Sequence, residues 1–246
     1  MKRRDILIAL LLLAVLWEGS ARLANLIIFP PLSIVMVQLV QELPNDLGRH
    51  LGASLWRVLA SMSLSIVLAA PLGMLLGQSR QLDRIFSPVI YLLYPVPKVV
   101  LVPIVFLLLG INDLAKITMI FLILFFQVLV LVRDQAASIR PELVSSVRSL
   151  GAGRRALFRF VYFPASIPAV LTALRQSIGT AVAVLYIVEL TATRWGLGYY
   201  IVLNGSTLFD YPKMYAGVLA MSFLGLGLYY LTDLVHRRVC RWQFAS

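Results

Sequence analysis

Lys98, Arg175 and Glu189 are the side chains with chemistry to offer in the apolar parts of this sequence, and each is a binding group rather than a reagent. Lys98 ends the stretch Tyr94-Pro-Val-Pro-Lys98, where two prolines interrupt any helix and leave a cation beside irregular backbone. A cation so placed suits transient contact with an anion; the alternative is a lysine whose stem carries its ammonium out to water. Arg175 is flanked by Thr172, Gln176, Ser177 and Thr180, a polar stripe that serves either a structural pairing or a solute. Glu189 can gate, or pair with Arg194 or Arg57. Arg57 itself stands near the end of an apolar run and is expected to snorkel without a role. Covalent catalysis has no support: the acids in apolar surroundings are isolated, His50 and His236 read as lone histidines in loops, and the single cysteine, Cys240, makes neither a disulfide framework nor a metal cluster.

The elements that hold these groups follow from composition. A chain of 246 residues that is 60% hydrophobic and 13% charged has more apolar surface than a soluble core of that size hides. Runs of roughly 20 residues, the length that crosses about 30 Å of hydrocarbon, occur at 6–28, 54–77, 88–109, 114–132, 164–190 and 214–234. In lipid the backbone must satisfy its own polar groups, so each run is expected to be a helix and the protein an all-α membrane protein with six transmembrane helices. The first run, preceded by Lys2, Arg3 and Arg4, also fits a secretory signal with Gly19-Ser-Ala21 as a poor cleavage site. No linker rich in Gly, Ser or Pro divides the chain, which reads as one membrane domain over 1–246.

The net charge of +11 is distributed by loop. With the N-terminus inside, 14 of the 22 basic residues fall in inside segments and five in outside segments. The positive-inside rule thus places both termini, the loop at 78–87 and the segment 141–162 in the cytoplasm. Topology accounts for the charge, and nucleic acid is not needed to explain it. Outside the core, residues 30–43 carry apolar side chains at helical spacing and suit an amphipathic helix at the outer surface. Gly73 and Gly77 have the small-xxx-small spacing that lets helices approach closely. The broken third run, with Pro95, Pro97 and Pro103, is expected to line a passage, since irregular backbone at membrane depth must face protein or a cavity.

The arginine-rich island from Pro141 to Tyr162 has Pro141 in a helical first turn, Leu143, Val147 and Leu150 on one face, Gly151 and Gly153 as a break, and a second short helix over 156–162. An amphipathic segment of this kind docks in a groove on a partner or lies on anionic lipid.

Gly151, nine residues, then Val161-Tyr-Phe-Pro164 resembles the second half of the EAA signature of permease subunits of ABC importers. In that alignment the Glu-Ala-Ala of the signature falls on Ser145, Ser146 and Val147. Its glutamate is missing, and Glu142 lies three residues earlier. His50-Leu-Gly-Ala-Ser-Leu-Trp-Arg-Val58 leading to Gly73 and Gly77, Gly110-Ile-Asn-Asp-Leu-Ala-Lys-Ile117, and Glu189 followed by Gly196-Leu-Gly198-Tyr199 are similar to the nitrate, sulfonate and taurine branch, so the likeness runs over about 50–242. At Gln127 the chain lacks a proline usual in that branch. The resemblance implies a type I ABC importer permease fold, with Glu142, Ser145, Ser146, Val147, Leu150, Gly151, Val161 and Pro164 in a cytoplasmic coupling helix that fits the ATPase. Lys98, Arg175, Gln176, Thr180 and Glu189 are the candidates for the translocation pathway. It also implies a second copy of the permease, two separate ATPase subunits that bind ATP and Mg, an external solute-binding protein and a bacterial inner membrane. No G-x-x-x-x-G-K-[ST] occurs, so the chain is expected to bind no cofactor and to be no enzyme by itself. The cargo is expected to be a small anion such as a sulfonate, taurine, nitrate or bicarbonate, or else a vitamin or vitamin precursor. A stand-alone secondary transporter would show paired broken helices in both halves, and one broken run is evident.

Overall fold

Apolar sequence becomes helix almost without interruption in the computed structural model, which describes residues 3–190 and 193–243 and shows no strand among them. Lys2, one of the basic residues placed inside above, lies outside these limits, as do residues 191–192 and 244–246. Five helices are long and apolar enough to cross a bilayer, and a bent pair makes a sixth span if it crosses as one. The described residues form two compact units, Met1–Leu55 with Glu189–Leu224, and Trp56–Val188 with Gly225–Ser246.

In the first unit α1 (Arg3–Ala24) keeps most of its leucines exposed, including Leu10, Leu11, Leu12 and Leu13. Its C-terminal half is fixed by α2 (Leu32–Glu42) and the turn before it: Glu18 accepts from the Ser33 N–H and hydroxyl, both at 2.9 Å, and Trp17 Nε1 donates to the Pro30 carbonyl at 3.2 Å. The amphipathic helix expected at 30–43 is therefore present and packs on α1. α3 (Asp46–Gln78) begins in this unit, as does α11 (Tyr211–Val239), and α10 (Leu197–Val202) lies wholly within it.

The second unit is built on a seam between α3 and α6 (Asp113–Ala137). Between Arg57 and Gly77, residues of α3 on one i, i+4 ridge meet the residue 56 positions later at five places. Arg57 Nη2 donates to Asp113 Oδ1 at 2.7 Å, and the Ser61 hydroxyl to the Ile117 carbonyl at 3.1 Å. The Ser65 hydroxyl reaches the Phe121 carbonyl at 3.5 Å. At Gly73 an added Cβ would stand 2.8 Å from the Leu129 carbonyl oxygen, and at Gly77 it would stand 2.5 Å from that of Arg133. A constant offset over five turns means that the two helices run parallel, with small residues on the i, i+4 ridge permitting the approach. The chain between them must therefore return across the same thickness, and it does so as the bent pair: α4 (Arg80–Leu93), a 3₁₀ turn at Lys98–Leu101, and α5 (Val102–Leu109), kinked by 78°.

Three expectations are corrected. The loop placed at 78–87 is helical from Arg80 onward, because Ser79 caps α4 by accepting from the Leu82 N–H. The short helix placed at 156–162 is not separate: α8 (Arg154–Leu157) passes through a π turn at Phe158–Tyr162 into α9 (Phe163–Glu189). Pro164 has no N–H for the usual i−4 bond, and the wide turn before it, closed by Phe163 N–H on the Phe158 carbonyl, absorbs that gap. Finally, His50 and His236 lie in α3 and α11 rather than in loops, and both are buried.

Candidate coupling segment and passage

At the end of α6 the chain leaves the apolar region through Ser138 and forms α7 (Pro141–Ser149), a helix with no buried residue. Glu142, Ser145 and Ser146 are exposed, and Val147 is half-buried. Leu143 and Leu150 stand 57% and 85% exposed, more than an apolar side chain keeps when it has packed on its own chain. α7 stops where Gly151 adopts φ 81°, a left-handed conformation that an L side chain resists, and nothing lies within 4 Å of the position a Cβ would take. The corner thus depends on backbone freedom rather than on space. Beyond it, α8 and the π turn lead through Val161 and Pro164, both half-buried, into the spanning part of α9. The residues named for coupling thus divide between the exposed helix α7, the Gly151 corner and the half-buried start of α9, and the segment as a whole joins the spanning helices α6 and α9.

The passage candidates divide. The break after α4 leaves carbonyls short of partners, Leu93 keeping only a turn bond from the Val96 N–H at 3.3 Å, and Lys98 answers them: its ammonium donates to the Leu93, Tyr94 and Val96 carbonyls at 2.9, 2.7 and 3.2 Å. The same ammonium stands 4.6 Å from the centre of the Phe126 ring. Lys98 and Thr180 line one cavity of about 290 Å³, together with Tyr94, Phe126 and Gln127. The Gln127 Oε1 is buried there without a hydrogen-bond partner. Arg175 is turned to α11, where Nη1 donates to Asp233 Oδ1 at 2.9 Å; Gln176, next to it, is exposed. Arg57, expected to snorkel, is instead 3% exposed and donates through two nitrogens to Asp113. Its position near a helix end suggested water; its partner lies 56 residues away, at a separation that no local pattern reveals.

Glu189 lies in the first unit and is fully buried. Its carboxylate accepts from the Ser54 hydroxyl at 2.8 and 2.9 Å and from the Gly198 N–H at 2.9 Å. Ser54 Oγ in turn accepts the Leu197 N–H at 2.8 Å, and His50 Nδ1 accepts the Gly196 N–H at 2.9 Å. An anion and a hydroxyl thus cap the first turn of α10, where free N–H groups and the helix dipole favour negative charge. The network includes residues that the sequence reading quoted only as a family match. Glycines at 196 and 198 beside an intramembrane acid were the available signal.

Residues 69–241 match the family of binding-protein-dependent transport system inner membrane components. The formylaminopyrimidine transport permease protein ThiX of Halalkalibacterium halodurans is 30% identical over 217 residues, covering 88% of this chain and 86% of that one. The taurine transport system permease protein TauC of Escherichia coli K12 is 28% identical over 239 residues, covering 94% and 86%. The inward-facing MetNI methionine ABC transporter superposes with a TM-score of 0.69 at 20% identity over 78% of this chain and 95% of that one, which shows the fold. The chain belongs to the binding-protein-dependent inner membrane component family, and is an integral membrane permease subunit of an ABC importer with the type I fold.

Proposed function

We propose that two copies of this chain form the passage of an importer driven by two separate ATPase subunits and supplied by an external solute-binding protein, in a bacterial inner membrane with the island and both termini cytoplasmic. The observation that carries this reading is the lever at Pro141–Ser149: an unburied amphipathic helix, Leu143 and Leu150 exposed, and a corner at Gly151 leading into a spanning helix. Closure of the ATPases on ATP and Mg would push that lever and turn the spanning helices from inward-facing to outward-facing. The chain binds no nucleotide of its own in this scheme. The orientation is supported by the asymmetry of basic residues.

For the cargo, the small cavity beside Lys98 supports a small anion such as a sulfonate, taurine, nitrate or bicarbonate. The ammonium already meets three carbonyls, so it attracts an anion through space or by exchanging one of those bonds, and weakly, as release requires. A neutral vitamin precursor is the second reading, favoured by the Tyr94 and Phe126 rings of the same cavity.

Proteoliposomes holding wild type or Lys98→Met with the ATPase and binding protein test both parts. Lys98→Met should slow uptake of an anionic cargo several-fold and leave a neutral one unchanged. Equal rates with a demonstrated anion would remove Lys98 from the account. In intact cells, an impermeant thiol reagent should mark a cysteine at Asn45 and spare one at Arg155. The reverse pattern contradicts the orientation. Native Cys240 is buried, and burial pushes its thiol pKa up, so it reacts slowly and leaves the comparison clean.

A further inference from the structure

Behind the lever, a cleft of about 650 Å³ opens between the end of α3, the start of α4 and the island. Arg148, Arg154 and Arg155 line it, all exposed. None of the three has a carboxylate partner among the described residues, whereas Arg133 in the same unit is held by Asp83 through two nitrogens. Gln78 also lines the cleft, and its Nε2 is buried with no acceptor. Two helices of sufficient length begin at the cleft wall. α4 starts after Ser79, whose hydroxyl already accepts the Leu82 N–H and whose helix carries Asp83 in its first turn, whereas the continuous helix Arg154–Glu189 starts after Gly153 with no side-chain cap and brings free first-turn N–H groups and its positive dipole end to the cleft wall. Three guanidinium groups, one uncapped helix N-terminus and an unsatisfied amide donor thus line the same cleft, and the nearby acid of the α4 first turn, Asp83, is already taken by Arg133. The lining also includes Leu75, Leu82 and Phe158, apolar side chains beside the basic ones at the end of a spanning helix.

We propose that this cleft binds a phosphate oxyanion, the headgroup of an anionic phospholipid or free phosphate. Arginine forks match phosphate oxygens with paired hydrogen bonds, and basic pockets beside spanning helices are where headgroup phosphates settle. The apolar part of the lining favours the lipid, whose first acyl carbons it covers. Leu143 and Leu150 are not part of the lining; Arg148 comes from α7 itself, but Arg154 and Arg155, on which the test rests, lie beyond the Gly151 corner.

The test uses the full chain purified in detergent after exchange into mixed micelles of phosphatidylcholine and phosphatidylglycerol. Native mass spectrometry then counts retained lipids, and a parallel thermal melt is run with inorganic phosphate. Wild type should retain phosphatidylglycerol in preference to phosphatidylcholine. Arg154→Gln with Arg155→Gln should lower that retention about tenfold, as expected when charge-assisted contacts to a phosphate are lost. Arg159→Gln, which removes a charge from the same island outside the cleft, should leave it unchanged. If lipid preference is absent but phosphate raises the melting temperature in wild type and not in the double variant, the site stands with free phosphate as its ligand. The proposal is overturned if wild type shows neither effect or if Arg159→Gln acts as strongly as the pair. It is also overturned if the pair abolishes ATPase copurification while anion binding is untouched, which would assign these arginines to protein docking.

Discussion

The seam between α3 and α6 and the island that follows α6 both carry arginines, and they treat them in opposite ways. On the seam Arg57 is buried against Asp113, and at its far end Arg133 is held by Asp83 and by the Tyr91 hydroxyl at 3.1 Å. On the island Arg148, Arg154 and Arg155 stand exposed, with no carboxylate partner among the described residues. A buried charge without a partner is too costly to survive, so the seam must satisfy its own. An exposed arginine costs nothing to leave free and remains available to another molecule. The seam is thus frame, and the island is an address.

The comparison breaks most sharply at Arg57. Arg57→Ala removes a buried side chain and its charge-assisted hydrogen bonds and should cost about 2–3 kcal/mol; the Asp113 side chain it leaves is 53% exposed, so no buried charge is stranded. Lower yield of folded chain and a lower melting temperature would show it; unchanged stability would mean that the seam does not depend on its charges. Gly77→Leu is expected to come next. Its side chain would meet the backbone of α6 at Arg133 and Ala137, forcing the helices apart at a cost of about 1–3 kcal/mol. Melting temperatures of the two variants side by side order these effects, and a larger loss at Gly77 would make close approach, not pairing, the main determinant of the frame.

Much of the frame was legible in sequence. Apolar runs near 20 residues located the spanning helices, because lipid leaves the backbone no alternative, and Gly73 with Gly77 marked a close contact. A further signal was present but unused: Ser61, Ser65 and Ala69 extend the glycine spacing toward Arg57, and together they trace the seam ridge. The partner helix, however, is set by an offset of 56 residues, and one sequence does not display which runs meet. The same limit hid the pairing of Arg57 and of Arg175 with Asp233. At Lys98 the prolines correctly predicted broken backbone, but not that the adjacent lysine would satisfy the carbonyls the break exposes. The island was legible as helix, break and helix; its fusion into α9 was not, since a π turn has no compositional mark beyond the proline that follows it.

The central claim is that the exposed lever is where force enters the protein. Complexes purified through a tag on this chain, from cells making the ATPase subunit, measure it most directly when wild type and Leu150→Asp are compared for bound ATPase and ATP hydrolysis. Leu150 is 85% exposed, so the substitution should leave insertion and stability within about 0.5 kcal/mol of wild type. The account predicts an equal yield of permease with the ATPase and its activity lost from the variant complex. Full ATPase content and undiminished hydrolysis in Leu150→Asp would contradict it.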